Sequence, residues 1–280
     1  MGPFVFRLRS DMAAVADGIE LLYAGHELAA DEDFADFTVT VAPGAGLRRW
    51  IRPQARFLFD GRPVFEPLPH GQAYPLLEWA MNWCISGYAH QFLVIHAAVV
   101  ERSGRALILP APPGSGKSTL CAALVHSGWR LLSDELTLVS RVDGRIHPLC
   151  RPVSLKNASI EVIRRFAPAA VFNRISHETA KGSVTHMKAL PEHLAQVDVP
   201  APARWVVFPR YEAGSPTVMS ERSRALSMIE LARNTFNFAA LGRSGFDLLG
   251  DVVDGCSCHD FRYSQLPEAI AAFDALAAAP

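Results

Sequence analysis

The chain has 280 residues, half of them hydrophobic, and a formal net charge of −1. That length can bury a large core in one or two domains, and that composition excludes a disordered chain. The balanced charge gives no nucleic-acid surface and no polybasic membrane patch, and no apolar run approaches membrane-spanning length.

The first residues, Met1-Gly2-Pro3-Phe4-Val5-Phe6-Arg7, lack the apolar core of a signal peptide. The five cysteines, Cys84, Cys121, Cys150, Cys256 and Cys258, therefore read as reduced thiols of a cytoplasmic protein. Residues 1–90 read as a small β-rich region with a helix. Phe4–Leu8 and Phe37–Val41 are strand candidates, the second ended by Ala42-Pro43-Gly44. Ile51–Phe59 and Val64–Leu68 flank Asp60-Gly61, a hairpin turn. Leu76–Tyr88 has helical spacing, with Leu76, Leu77, Ala80, Trp83 and Cys84 on one face. No catalytic constellation stands out here. The region reads as a structural lobe.

Residues 91–280 hold the chemistry. Phe92–Val100 reads as a strand whose apolar run is interrupted by His96. Ala106–Leu109 is a continuous apolar run, as expected of a strand buried on both faces. Ala111-Pro112-Pro113-Gly114-Ser115-Gly116-Lys117-Ser118-Thr119 follows, and from Thr119 onward Leu120, Ala123 and Leu124 run at helical spacing to a stop at Gly128. The loop is a near match to the phosphate-binding pattern G-x-x-x-x-G-K-[ST], with Ala111 at the first glycine. A triphosphate needs many donors and little bulk. Gly114 and Gly116 let backbone N–H groups face phosphate oxygens, and the helix N-terminus adds partial positive charge. Lys117 can reach the β- and γ-phosphates, and the Ser118 hydroxyl can hold Mg²⁺. The next strand ends at Ser133-Asp134-Glu135. An acid on a strand neighbouring such a loop commonly serves beside Mg²⁺ and the γ-phosphate. Adjacent acids on a continuing strand point to opposite faces, so the two are expected to divide their roles.

His96, Lys117, Gly128 and Asp134-Glu135, in this order and spacing, resemble the kinase domain of HPr kinase/phosphorylase. The chain as a whole is similar to the HPr-kinase-related proteins, one branch of which serves peptide-modification gene clusters. Arg151-Pro152-Val153-Ser154-Leu155-Lys156-Asn157, Lys181-Gly182-Ser183-Val184 and Phe208-Pro209-Arg210-Tyr211 fit that set. The resemblance implies an α/β fold: a P-loop kinase domain of the HPr kinase/PEP carboxykinase type, a mixed sheet with helices. It also implies ATP and Mg²⁺ as cofactors and a homo-oligomer. Asp134 matches the acid that takes the proton from an acceptor hydroxyl, Glu135 the acid that helps Ser118 with the metal, and His96 the histidine beside the catalytic acid. Glu135 stands where that family has a second Asp, Ala111 stands at the first loop glycine, and the signature stretch of HPr kinases after the acidic pair is not visible, so HPr itself is not implied as acceptor. The acceptor is a hydroxyl, of a peptide, small protein or small molecule.

The remainder adds elements and cations. Leu136–Arg141 and Ile146–Cys150 form a hairpin about Val142–Arg145, and Ser159–Phe166 is a helix. Residues 167–190 are a mixed loop in which Lys181–Met187 can add a strand. Trp205–Phe208 is a buried strand, Ser223–Phe238 a helix, Phe261–Leu266 a strand and Pro267–Ala278 a helix. Arg151, Lys156, Lys181 and Arg210 are candidate phosphate contacts. Cys256-Ser257-Cys258-His259 lacks a partner cluster and is not expected to hold metal. Two functions compete: a kinase acting on a hydroxyl, and a nucleotide-binding switch or assembly factor without phosphoryl transfer. The guanine-reading Asn-Lys-x-Asp motif of a GTPase is absent.

Overall fold

A computed structural model describes residues 1–30, 32–112 and 114–279. The chain is α/β with mixed sheets. The first sheet contains β1 (Phe6–Ser10), β2 (Phe37–Pro43), β3 (Gln54–Phe59), β4 (Arg62–Pro63) and β5 (Leu68–Pro69). β1 and β2 are parallel and so need a crossover, which helix α1 (Ala13–Leu22) supplies. The sequence pattern marks no element there. Met12 offers no capping side chain, and Gly18 weakens the helical signal. That glycine is required, because the Tyr74 ring lies 2.1 Å from where its Cβ would sit.

The hairpin at Asp60-Gly61 forms, with Phe59 opposite Arg62 and positive φ at both turn residues, 47° and 77°, as a tight two-residue turn demands. Its flanks are shorter than expected. β3 starts at Gln54, after a 3₁₀ turn over Gly46–Arg49. Pro63, Pro67 and Pro69 lack N–H donors, and the expected strand Val64–Leu68 does not form: the two-residue strands β4 and β5 flank it, β5 taking in only its last residue, Leu68. Helix α2 (Ala73–Tyr88) packs Leu77, Ala80, Met81 and Ile85 against this sheet.

The second sheet is centred on β6 (Phe92–Arg102), which runs straight through His96, and β7 (Arg105–Pro110). Helix α3 (Lys117–Val125) follows, then β8 (Arg130–Ser133), β9 (Leu136–Ser140) and β10 (Ile146–His147). After β11 (Val153–Lys156), α4 (Ala158–Phe166), β12 (Ser176–Thr179), β13 (Gly182–Met187) and α5 (Pro191–Leu194) come β14 (Ala203–Tyr211) and β15 (Val218–Glu221). The chain then forms α6 (Arg224–Arg233), α7 (Phe238–Asp254), β16 (Ser257–Tyr263) and α8 (Leu266–Ala278). The spatial order is β10-β9-β6-β7-β14-β16-β15, with β8 also paired to β6. β14 is parallel to β7 and to β16, whereas β6 is antiparallel to β7, β8 and β9. A small third sheet, β11-β13-β12, joins β11 to two strands inside 167–190, where β13 falls on the strand expected over Lys181–Met187 and β12 is an added one.

Strand alternation sorts the core. Leu93, Ile95, Ala97 and Val99 pack with Leu231, Leu249 and Val253 of α6 and α7. Ala98 and Val100 pack with α3 and α8. Phe92 and Val94 join the cluster of the first sheet and α2, so that cluster continues across residue 90.

Two boundaries differ from the sequence pattern for structural reasons. The expected helix 223–238 ends at Arg233. Next, the His96 N–H donates to the Asn234 carbonyl at 2.7 Å and the Phe236 N–H to the Val94 carbonyl at 2.9 Å. Residues 234–236 thus occupy the side of β6 that β7 leaves at Pro110, whose partner is Ala97. The final strand begins at Ser257 rather than Phe261, so Cys258 is a buried strand residue. Burial also pushes the Cys256 thiol up to about 12.

Candidate functional site

Strand β7 is buried throughout from Ala106 to Pro110, and the chain leaves it at Ala111 and Pro112. Pro113 lies outside the described residues. Gly114 and Gly116 take φ of 86° and 88°, a region glycine enters without steric cost. Gly116 is also needed for space: a Cβ there would lie 2.6 Å from the Tyr263 hydroxyl and 3.0 Å from the Tyr211 Cβ. Gly116 caps α3, so Lys117, Ser118 and Thr119 form its first turn and their N–H groups need partners outside the helix. The buried Ser115 hydroxyl has no hydrogen-bond partner among the described residues.

Asp134 and Glu135 sit between β8 and β9, and His96 is opposite Leu136 on β6. The fold brings the loop and the acids together. Lys117 Nζ donates to the backbone carbonyl of Asp134 at 2.7 Å. The Ser118 hydroxyl donates to Asp134 Oδ2 at 3.2 Å, and the Ser154 N–H donates to the same oxygen at 3.1 Å. The recorded partner of Ser118 is therefore Asp134 rather than Glu135. The other oxygen, Oδ1, is buried without a partner among the described residues. Burial raises the Asp134 pKa above the ordinary value, against the pull of Lys117.

Glu135 has a different setting. Asn82 Nδ2 donates to its Oε2 at 2.6 Å, and Lys156 Nζ lies 3.6 Å from its Oε1. Burial would push its pKa up, but the ammonium groups of Lys117, Lys156 and Lys181 hold it at about 2. His96, whose ring lies tilted against Phe236 with centroids 5.6 Å apart, is pushed down to about 4 by burial and then by Lys117. The imidazole is thus neutral at neutral pH.

The far wall of this pocket comes from residues whose sequence pattern reads as core or loop. It is lined by Glu78, Trp79 and Asn82 of α2, Arg151, Ser154 of β11 and His186 of β13. Arg151 does not project toward the loop. It is buried and ion-paired to Glu78, and its Nη1 donates to Asn82 Oδ1 at 2.5 Å. Glu78 also accepts from Tyr74 at 2.6 Å and from Tyr23 at 3.0 Å. A chain of contacts therefore runs from Glu78 through Arg151 and Asn82 to Glu135. Lys181, in the β12–β13 turn, lies over the Trp79 ring at 5.4 Å. Arg210 is exposed, 3.8 Å from Glu212. Only the even i, i+4 spacing of Glu78 and Asn82 on α2, which puts both on one face, offers a sequence signal for this wall.

The donor set suits a small hard cation. One hydroxyl and two carboxylates offer oxygen ligands only, and Mg²⁺ commonly keeps waters and takes one or two carboxylates. Among the described residues no group of three or more His, Cys, Asp or Glu side chains could hold a metal by itself. No helix among them is long and apolar enough to cross a membrane.

Residues 80–152 match a protein-family model described as SynChlorMet cassette protein ScmC. The match runs from the middle of α2 to Pro152 and includes both the loop and the acid pair. No curated protein matches the chain.

Proposed function

We propose that the chain is an ATP-dependent kinase that transfers the γ-phosphoryl group to a hydroxyl, of a serine in a peptide or small protein or of a small molecule. The observation that carries this reading is the buried, unpartnered Asp134 Oδ1 beside a glycine-rich loop whose lysine is tied to the same residue. In this reading the fold is of the P-loop kinase type related to HPr kinase and PEP carboxykinase.

The loop cradles the β- and γ-phosphates with the backbone N–H groups of Gly114–Thr119 and the N-terminus of α3. Lys117 exchanges the Asp134 carbonyl for phosphate oxygens and stabilises charge on the transferring group. Asp134 accepts the acceptor's proton through Oδ1. Its raised pKa favours that role, because a base works best with a pKa nearer the working pH. Ser118 and Glu135 would hold Mg²⁺, which neutralises charge on the β- and γ-oxygens. Neutral His96 orients the site and adds no positive charge near Asp134.

The alternative is a nucleotide-dependent switch in which binding changes shape and nothing is phosphorylated. A carboxylate oxygen held without a proton donor favours the kinase, since a switch has no need of a base. The test incubates the chain with γ-labelled ATP and candidate acceptor peptides. Wild type should transfer label, and Asp134→Asn should transfer ~10²–10⁴-fold more slowly with ATP affinity retained. Unchanged transfer in Asp134→Asn removes Asp134 as the base. ATP-dependent binding to a partner without any labelled acceptor establishes the switch.

A further inference from the structure

The two ends of a nucleotide triphosphate need different surroundings. The acids lie on the β6–β9 side of β7, while β14 and β16 lie on its other side. A γ-phosphate facing Asp134 and Glu135 therefore directs the ribose and base toward the ends of β14 and β16. This step rests on the nucleotide reading above.

Two tyrosines stand at those ends, and they differ. Tyr263, the last residue of β16, is buried, and its hydroxyl donates to the Gly116 carbonyl at 3.2 Å. It supports the loop from behind. Tyr211, the last residue of β14, is 50% exposed. Its backbone N–H donates to the Ser115 carbonyl at 2.9 Å, a bond that any side chain would allow. The ring meets Tyr263 edge-on, with centroids 5.8 Å apart and planes at 72°.

Tyr211 is thus fixed at its backbone by the loop and braced at its ring by Tyr263, yet half its surface faces solvent. The following turn is anchored as well. The Glu212 N–H donates to the Tyr263 carbonyl at 3.0 Å, and the Ser264 hydroxyl donates to the Ser215 carbonyl at 2.7 Å. The ring is held in place and open on one side. A flat π surface adjoining a phosphate cradle is what a nucleobase stacks on.

We infer that Tyr211 is the stacking platform for the base of a nucleoside triphosphate whose phosphates occupy the glycine-rich loop. Calorimetric titration of the full chain with Mg·ATP and, separately, with inorganic tripolyphosphate and Mg²⁺ tests it. Tyr211→Ala should weaken ATP binding about tenfold to a hundredfold and leave tripolyphosphate binding unchanged. Tyr211→Phe should bind ATP as wild type does. A thermal scan checks that both variants fold. If Tyr211→Ala binds ATP normally while Lys117→Ala weakens both ligands, the base lies elsewhere and the inference fails with the phosphate site intact. If Lys117→Ala binds both ligands as wild type does, the phosphate-site reading fails and takes the inference with it.

Discussion

The two flanks of Asp134 are built by opposite means. On one side, the turn at Gly114–Gly116 runs directly into the first turn of α3, and in the kinase reading the backbone makes most of the site. On the other side, α2, β11 and β13 bring together Glu78, Asn82, Arg151, Ser154 and His186, and buried side chains make the site. Local geometry can survive the loss of one side chain. A buried charge network cannot, because removing one partner strands the other in a low-dielectric interior. The first flank should therefore separate function from stability, and the second should join them.

The largest expected effect tests that joining. Glu78→Ala leaves Arg151 buried without its ion-pair partner and leaves the Tyr23 and Tyr74 hydroxyls without their acceptor. Breaking a buried pair costs ~3–5 kcal/mol, so the urea midpoint should fall markedly. An unchanged midpoint would show that water reaches Arg151 and that this wall is not a closed network. On the other flank, Lys117→Ala should reduce phosphoryl transfer by ~10²–10³-fold, the usual loss for one electrostatic stabiliser. Its unfolding midpoint should move only by the loss of one hydrogen bond, ~1 kcal/mol. A collapse of stability in Lys117→Ala would erase the distinction between the flanks.

The same contrast explains what the sequence made legible. Strand β7, the glycine-rich loop and α3 follow from an apolar run, two glycines and helical spacing, all local signals. Asp134 and Glu135 stand out because they end the strand that follows that loop. The far wall was not legible, because Glu78 and Asn82 sit in a helix whose spacing reads as core, and only tertiary pairing turns them toward Arg151 and Glu135. Helix α1 was hidden by Gly18, a residue set by the Tyr74 ring rather than by helix propensity. Helix α7 was hidden by its glycines and by the non-helical Gly242. The break before it arises because residues 234–236 pair with β6, a tertiary demand with no local signature.

Asn82 is where the far wall meets the acid pair. It bonds Arg151 on one side and Glu135 on the other. Asn82→Ala should slow phosphoryl transfer about tenfold, equivalent to ~1.4 kcal/mol, while ATP affinity stays near wild type. A purely structural role would instead lower the unfolding midpoint and leave transfer by the folded fraction unchanged.

The smallest expected effect concerns the field over the pocket. His96 titrates at about 4, below the ordinary 6.5, because of burial and then Lys117, with Lys181 and Lys156 adding to the effect and Glu135 opposing it. As pH falls, the unfolded chain takes up this proton first. The contribution of His96 to stability is therefore complete above about 6.5 and is lost as pH falls toward about 4. Asp134 runs the other way: its raised folded pKa means that stability is lost as pH rises through that value. Global unfolding curves sum the two, so the imidazole signal of His96 in labelled protein is the direct measurement. Lys181→Gln removes one positive charge from the cluster and should raise the His96 midpoint by less than one unit, under ~1.4 kcal/mol of interaction. A midpoint near 6.5 in wild type would place His96 in solvent. An unmoved midpoint in Lys181→Gln would mean that Lys181, drawn over Trp79, does not reach the pocket with its charge.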